Sequence, residues 1–159
     1  MSVERIIRVR AIVIHDGKLL CVRLNPYDGD SKLFWCLPGG KVDPVEPLIP
    51  ALHREMTEET GITPDIGALL YVHQFDVTRR SGQHEETLEF FFHVKNAADY
   101  LDVDLSKTTH GELEIAEIDF IDAAHAGLPV RPTFLQTEDF AAHIAANEPA
   151  KLFTFLGQK

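Results

Sequence analysis

The chain has 159 residues, of which 45% are hydrophobic and 25% charged, and this fits one folded domain and excludes disorder. Fifteen basic and 25 acidic residues give a formal net charge of −10, which argues against polymeric nucleic acid or an anionic membrane as a partner. The sequence has no apolar run of transmembrane length, no signal-peptide pattern, and two cysteines without metal-site spacing. It therefore predicts a single cytoplasmic domain over residues 1–159, with reduced thiols and a small substrate.

Strand patterns dominate the first part of the sequence. Residues 5–15 are rich in β-branched side chains and begin with alternation, which predicts one strand. Asp16-Gly17 supplies a hairpin turn, and residues 18–24 are expected to return as the second strand. Arg23 near its end is a candidate phosphate contact, and a plain surface position is an equal alternative.

A loop rich in Pro, Asp and Gly follows at residues 25–32, and such loops often line binding sites. Tyr27 could stack there on a base, but packing is the favoured interpretation. Residues 33–37 predict a short apolar strand that ends at Pro38-Gly39-Gly40. Glycines at such a position let backbone carbonyls approach a bound ion or phosphate closely.

A helix from about Leu48 to Thr60 is predicted next. Pro50 is tolerated only in the first turn of a helix, and Gly61 stands where a left-handed C-cap is expected. Two further prolines, Pro44 and Pro47, precede this helix.

The helix carries a row of glutamates. Glu55, Glu58 and Glu59 have the spacing i, i+3 and i+4, so they share a face on which apolar residues are also expected. Carboxylates crowded beside apolar positions repel one another and lose hydration, which is costly without a cation. A solvated acidic face is the alternative, but the preceding glycine segment favours a site for Mg²⁺ or Mn²⁺.

The rest of the sequence mixes strands and helices, so the fold class is α/β in the broad sense, of the α+β kind. No internal repeat or linker interrupts it. The predicted elements are strands at 66–78, 85–94 and 114–121, a polar loop at 96–111, a helical turn at 122–126, and a helix at 133–147 opened by a capping-box pattern.

The segment around the glutamate helix resembles the signature of the Nudix hydrolases. Its matching positions are Gly40, Glu46, Arg54, Glu55, aliphatic Met56, Glu58, Glu59, Gly61 and aliphatic Ile62. The resemblance implies an α/β/α sandwich around a mixed sheet. It also implies metal-dependent hydrolysis of a pyrophosphate linkage in a nucleoside diphosphate derivative. The proline cluster departs from the family pattern at the helix entry, not at the ligand positions.

The resemblance also implies the roles of site residues. The metal ligands would be Gly40 through its carbonyl, Glu55, Glu58 and Glu59, holding Mg²⁺ or Mn²⁺. Arg54 and Glu46 would hold the first catalytic glutamate in place, a role compatible with a simple salt bridge.

Family members place one more metal-binding or base glutamate upstream of an aromatic residue. With Phe120 in the aromatic position, Glu114 is the candidate, and Glu112 and Glu117 are alternatives. Either Glu55 or Glu114 would take the proton of the attacking water.

The substrate is expected to be a nucleoside triphosphate, a nucleotide sugar or a similar compound. Residues 77–80 carry neither the proline of ADP-ribose subtypes nor the tyrosine of diadenosine polyphosphate subtypes. Asn147, followed by Glu148-Pro149, is similar to a C-terminal motif of MutT-like members, in which the asparagine reads an oxidised guanine. A helix C-cap that matches by chance is the alternative.

Two other functions compete with hydrolysis. A non-catalytic Nudix-like domain would bind nucleotides and regulate, but such domains typically lose glutamates that are present here. The second competitor is an isoprenoid diphosphate isomerase. Proteins with that chemistry carry additional catalytic Cys and Glu motifs, which are not identifiable in this sequence. A homodimer is left open as the assembly.

Overall fold

The computed structural model describes residues 2–25 and 33–157, so the predicted role of Tyr27 lies outside the described residues. The strands are β1 (Val3–Ile12), β2 (Ile14–His15), β3 (Lys18–Leu24), β4 (Gly39–Lys41), β5 (Ile66–Thr78), β6 (His84–Val94), β7 (Ile115–Ile121) and β8 (Lys151–Phe155). The α-helices are α1 (Leu48–Thr60), α2 (Gly111–Glu114) and α3 (Phe140–Ala145), and short 3₁₀ helices lie at Ala97–Tyr100, Leu105–Lys107 and Thr133–Gln136.

Two sheets carry the fold. The larger has the strand order β4-β1-β6-β5-β8, in which β1 is parallel to β6 and β5 is parallel to β8. Its other two pairs are antiparallel. The smaller sheet, β2-β3-β7, is antiparallel throughout. The predicted α+β class with a mixed sheet is confirmed.

The glutamate helix packs on one face of the larger sheet. Leu52 and Met56 of α1 are fully buried and join Val9 and Ala11 of β1 in one hydrophobic cluster. Alternate residues of a strand point to opposite faces, so the even-numbered neighbours in β1 face away from α1. The other face has its own cluster, in which Tyr71 and Phe91 pack against Phe134.

Several predicted elements are confirmed. The helix begins at Leu48 and ends at Thr60, and Gly61 caps it in the left-handed conformation with φ 74°. The hairpin at Asp16-Gly17 and the long strand pair β5–β6 are also present. Within the described residues, no helix is long and apolar enough to cross a membrane.

The prediction of one strand over residues 5–15 is wrong, because the chain changes sheets after Ile12. The predicted strand at 33–37 is also wrong, since Trp35 and Cys36 make single bridges and the paired segment is β4. Both errors come from partners distant in sequence, which periodicity does not reveal.

The predicted helix at 133–147 is divided in the structure. A 3₁₀ turn without a side-chain cap comes first, and α3 begins only after Asp139, whose carboxylate accepts a hydrogen bond from the Ala142 amide at 3.0 Å. The strand β8 was not predicted from the sequence. The predicted loop at 96–111 contains two 3₁₀ turns, and the first of them ends at the buried Tyr100.

Candidate active site

The predicted carboxylates of α1 differ in exposure. Glu59 is 4% exposed, the Glu55 side chain 12% and the Glu58 side chain 31%. The gradient follows from the way α1 rests on the sheet, since Leu52 and Met56 hold the neighbouring face of the helix in the core. The three side chains therefore run from the interior of the protein to its surface.

Arg54 connects these carboxylates to the loop before the helix. Its Nε and Nη2 atoms donate to both oxygens of Glu46 at 2.9 Å. Its Nη1 atom donates to Glu55 at 3.1 Å and to Glu58 at 3.4 Å. The hydrogen bonds from Arg54 and from the Asp43 amide lower the pKa of Glu46 to about 2. The expected Arg54–Glu46 contact is thus present, and Arg54 also orients Glu55.

The Glu55 carboxylate lies directly against Gly40 of β4. A Cβ atom on Gly40 would overlap the carboxylate carbon and both of its oxygens. Only a glycine leaves this space, so the Glu55 side chain packs directly against the backbone of Gly40. Burial raises the pKa of Glu55, which Arg54 opposes, and the charges of Glu58 and Glu114 raise it further.

Glu59 is the most deeply placed carboxyl group of the helix. It accepts a hydrogen bond from the Gly39 amide at 3.1 Å. Burial raises the pKa of Glu59 to about 8, although the Gly39 hydrogen bond and the charge of Arg10 act in the opposite direction. A buried carboxyl group of this kind is stabilised in its charged form by a nearby cation.

The short helix α2 lies against the C-terminal half of α1. The His110 amide donates to the Glu58 carbonyl at 3.0 Å, and a Cβ on Gly111 would overlap the Glu59 carbonyl oxygen. Glu114 is the last residue of α2, and its charge raises the pKa of both Glu55 and Glu59.

The two alternatives to Glu114 have other surroundings. Glu117 pairs with Arg23 on the neighbouring strand at 3.1 Å, and the Glu112 backbone carbonyl accepts from the Asn25 side chain at 3.3 Å. The sequence analysis missed His110, whose Nδ1 lies 3.6 Å from Glu58 Oε2. No local pattern marks His110, because α2 contacts α1 only through the tertiary fold.

Arg23 and Asn147, the predicted substrate contacts, make no described hydrogen bond to the carboxylates of α1. Arg23 is engaged with Glu117 on the smaller sheet. Asn147 follows α3 with φ 49°, and its amide donates to the Ile144 carbonyl at 3.1 Å, which is the arrangement of a helix cap. Both substrate-binding roles stay predictions.

The donor set at the cluster suits a hard divalent cation, since it consists of carboxylate oxygens around a glycine segment. Nowhere in residues 2–25 and 33–157, however, are three or more His, Cys, Asp or Glu side chains already grouped as a metal site. Arg54 accounts for part of this, because it binds Glu55 and Glu58 itself. A cation at these carboxylates would compete with Arg54 for their oxygens.

A comparison with family models shows the family of the chain. The family model described as "NUDIX domain" matches residues 5–139, and the chain belongs to the Nudix family. The predicted family is therefore confirmed.

One curated relative matches part of the chain. The chain is 40% identical over 72 residues to the CTP pyrophosphohydrolase of Escherichia coli K12, a match that covers 45% of this chain and 53% of that protein. The match thus spans about half the length of this curated relative.

Solved structures match over more of the chain. The E. coli ORF135 protein is 27% identical with a TM-score of 0.57, covering 91% of this chain and 94% of that one. The MutT protein from Methanosarcina mazei is 25% identical with a TM-score of 0.57, covering 94% and 99%.

Proposed function

We propose that this protein is a metal-dependent pyrophosphohydrolase that cleaves a pyrophosphate linkage in a nucleoside triphosphate or a similar nucleoside diphosphate derivative. The observation that carries the proposal is the carboxylate cluster, in which Glu55 contacts Gly40 and Arg54 while Glu59 accepts from the Gly39 amide. Water would attack a phosphorus atom of the linkage, and a nucleoside monophosphate or pyrophosphate would leave.

Glu55, Glu58, Glu59 and the Gly40 carbonyl are the residues that would hold Mg²⁺ or Mn²⁺. When bound, such an ion neutralises phosphate oxygens and lowers the pKa of water. The donor chemistry supports this assignment, because oxygen ligands suit these cations. A cation would also offset the repulsion between Glu55 and its neighbours Glu58 and Glu114, which raises the pKa of Glu55.

The protein residues position the reacting groups. Arg54 would fix the Glu55 carboxylate through its Nη1 hydrogen bond, while its other two nitrogens stay bound to Glu46. A carboxylate oxygen of Glu55 or Glu114 would accept the proton of the attacking water. The charge of Glu114 raises the pKa of Glu55, so the two carboxylates interact and either could take this role.

A nucleoside triphosphate is the favoured substrate class. The E. coli relative that is 40% identical over 72 residues is a CTP pyrophosphohydrolase, and this similarity supports a nucleoside triphosphate substrate for this chain. The competing hypothesis, a non-catalytic domain that only binds nucleotides, requires no function for a buried glutamate such as Glu59.

A product screen tests the proposal. Nucleoside triphosphates, ADP-ribose, nucleotide sugars and dinucleoside polyphosphates are incubated with the protein in Mg²⁺, Mn²⁺ or chelator, and products are separated by ion-exchange chromatography. We expect turnover of at least one nucleoside triphosphate in metal and none in chelator. Binding without turnover of any compound would favour the non-catalytic hypothesis.

A matched pair of variants tests which glutamate is the general base. Glu114→Gln removes the proposed carboxylate from α2, and Glu112→Gln changes an exposed glutamate of the same helix. If Glu114 is the base, the first variant lowers kcat by about 10²–10⁴-fold and the second leaves it unchanged. Equal kcat values for the two variants would assign the proton transfer to Glu55.

A further inference from the structure

The sheet face opposite α1 changes character along its length. At one end Tyr71 and Phe91 are covered by Phe134, which follows from the apolar sequence of these strands. At the other end the same face carries charged residues, because Arg8 and Arg10 of β1 alternate with the core residue Val9. We call this part of the sheet face the charged half. Most of its charged side chains are paired with one another.

The two glutamates that β6 contributes to this face are both engaged. Glu89 Oε2 accepts from Arg10 Nε at 2.9 Å, and Glu89 Oε1 lies 3.1 Å from His73 Nδ1. Glu85 Oε2 pairs with Arg79 Nη2 at 2.7 Å. These contacts use the carboxylates to hold neighbouring side chains in place.

Arg8 is the exception. It is half-buried on β1, in register with Glu89 on one side and Lys41 on the other. Through residues 2–25 and 33–157, its guanidinium has no hydrogen bond or ion pair, although Glu89 and Glu85 act on it at longer range. A guanidinium has five N–H donors and no acceptor, so Arg8 has donors to offer a ligand.

The strand that carries Arg8 also runs past the carboxylate cluster. Arg10, two residues along the same strand, donates to the Leu37 carbonyl at 3.3 Å and is in register with Gly39. Gly39 in turn donates its amide to Glu59. Two residues of a strand span roughly 6.6–6.8 Å, which is the separation of Arg8 from Arg10 along β1.

Aromatic rings border the same half of the face. His73 stacks on Phe75 with centroids 4.6 Å apart, and Phe155 of β8 meets His73 edge-on at 5.6 Å. Planar bases stack on flat rings and accept hydrogen bonds from a guanidinium, whereas a hydrated phosphate does not need the rings. The surroundings therefore favour a base as the ligand of Arg8.

We propose that Arg8 is a specificity-determining residue that donates two hydrogen bonds to a base edge with two adjacent acceptors. Cytosine offers O2 and N3, and guanine offers O6 and N7, whereas uracil and adenine have no such adjacent pair on their hydrogen-bonding edges. The wild-type protein would therefore favour cytosine and guanine nucleotides. This inference rests on the proposed nucleotide hydrolysis for its kinetic test, but its binding test is independent of turnover.

The experiment compares wild type with Arg8→Gln and Arg8→Lys. The matched control is Arg5→Gln, which changes an exposed arginine of the same strand that pairs with Glu86. The ratio of kcat/KM for CTP to that for UTP is measured in Mg²⁺, and the affinities for CMP and UMP are measured by calorimetry without metal. Melting curves establish that each variant is folded.

We expect both Arg8 variants to reduce the CTP/UTP and CMP/UMP ratios by about 10- to 100-fold, mainly through KM, with Arg5→Gln unchanged. Unchanged ratios in Arg8→Gln would overturn the inference. Wild-type ratios in Arg8→Lys would also overturn it, because an ammonium keeps the charge that a phosphate contact needs but lacks the rigid planar fork of a guanidinium.

The two proposals fail differently. If no nucleoside triphosphate is hydrolysed but the CMP/UMP ratio still depends on Arg8, the hydrolase proposal is wrong and the base contact holds. If wild type hydrolyses CTP and UTP equally and binds CMP and UMP equally, the hydrolase proposal holds and the role of Arg8 is refuted.

Discussion

Glu89→Gln is expected to destabilise the protein strongly, because it removes the counter-charge of a buried arginine. The side chains of Arg10 and Glu89 are 16% and 8% exposed and are 2.9 Å apart. Removing one partner of such a pair typically costs about 3–5 kcal/mol, since the other charge stays buried. We expect a loss of this size in the free energy of unfolding at about pH 7.

The same substitution should have a characteristic pH dependence. Burial opposes ionisation of Glu89, but the charge of Arg10 and the contact with His73 prevail and lower its pKa from 4.5 to about 2. At about 1.4 kcal/mol per pKa unit, this difference corresponds to about 3 kcal/mol. Because the folded pKa is the lower one, this stabilisation is present above about pH 5 and is lost as the pH falls toward about 2.

Urea unfolding followed by the fluorescence of the single tryptophan, Trp35, measures both effects. The gap between wild type and Glu89→Gln should shrink by about 2 kcal/mol from about pH 7 to about pH 3. Glu86→Gln is the matched control on β6, since its partner Arg5 is 65% exposed and the pair is expected to contribute at most about 1 kcal/mol. A gap that stays constant with pH, or an equal cost for Glu86→Gln, would refute the reasoning.

Three further substitutions test the site. Gly40→Ala should lower kcat/KM about 100-fold with an unchanged circular dichroism spectrum, because the new methyl group displaces the Glu55 carboxylate; an unaltered rate would contradict this. Arg54→Ala should lower both the melting temperature and kcat/KM, because Glu46 loses its two-point partner and Glu55 loses the group that orients it; an unchanged melting temperature would contradict this. Asn147→Ala should reduce kcat/KM for a guanine nucleotide about 10- to 100-fold more than for a pyrimidine one, and equal losses would make Asn147 a helix cap only.

The glutamate helix could be predicted because its signals are local. The spacing of Glu55, Glu58 and Glu59 follows the helical period, Pro50 restricts the start, and Gly61 ends the helix with a positive φ. The same locality explains why the Arg54–Glu46 contact was expected correctly, since both residues flank one short loop.

The remaining features depend on distant partners. The pairing of β1 with β6 and the pairing of β8 with β5 are decided by strands many residues away. The contact of His110 with Glu58 depends on α2 packing against α1, which no single segment encodes. The unpaired donors of Arg8 are equally invisible in sequence, because they follow from the pairing of Glu85 and Glu89 with other residues.

The most direct test of the proposed activity compares wild type with Glu59→Gln on CTP in Mg²⁺, with chromatographic separation of the products. Glutamine keeps the shape of Glu59 and its contact with the Gly39 amide but cannot take on the negative charge that a cation would stabilise. We expect wild type to release CMP and pyrophosphate, chelator to stop the reaction, and the folded variant to be inactive. Equal turnover by Glu59→Gln and wild type, or full activity in chelator, would contradict a hydrolase that works through a cation held by these glutamates.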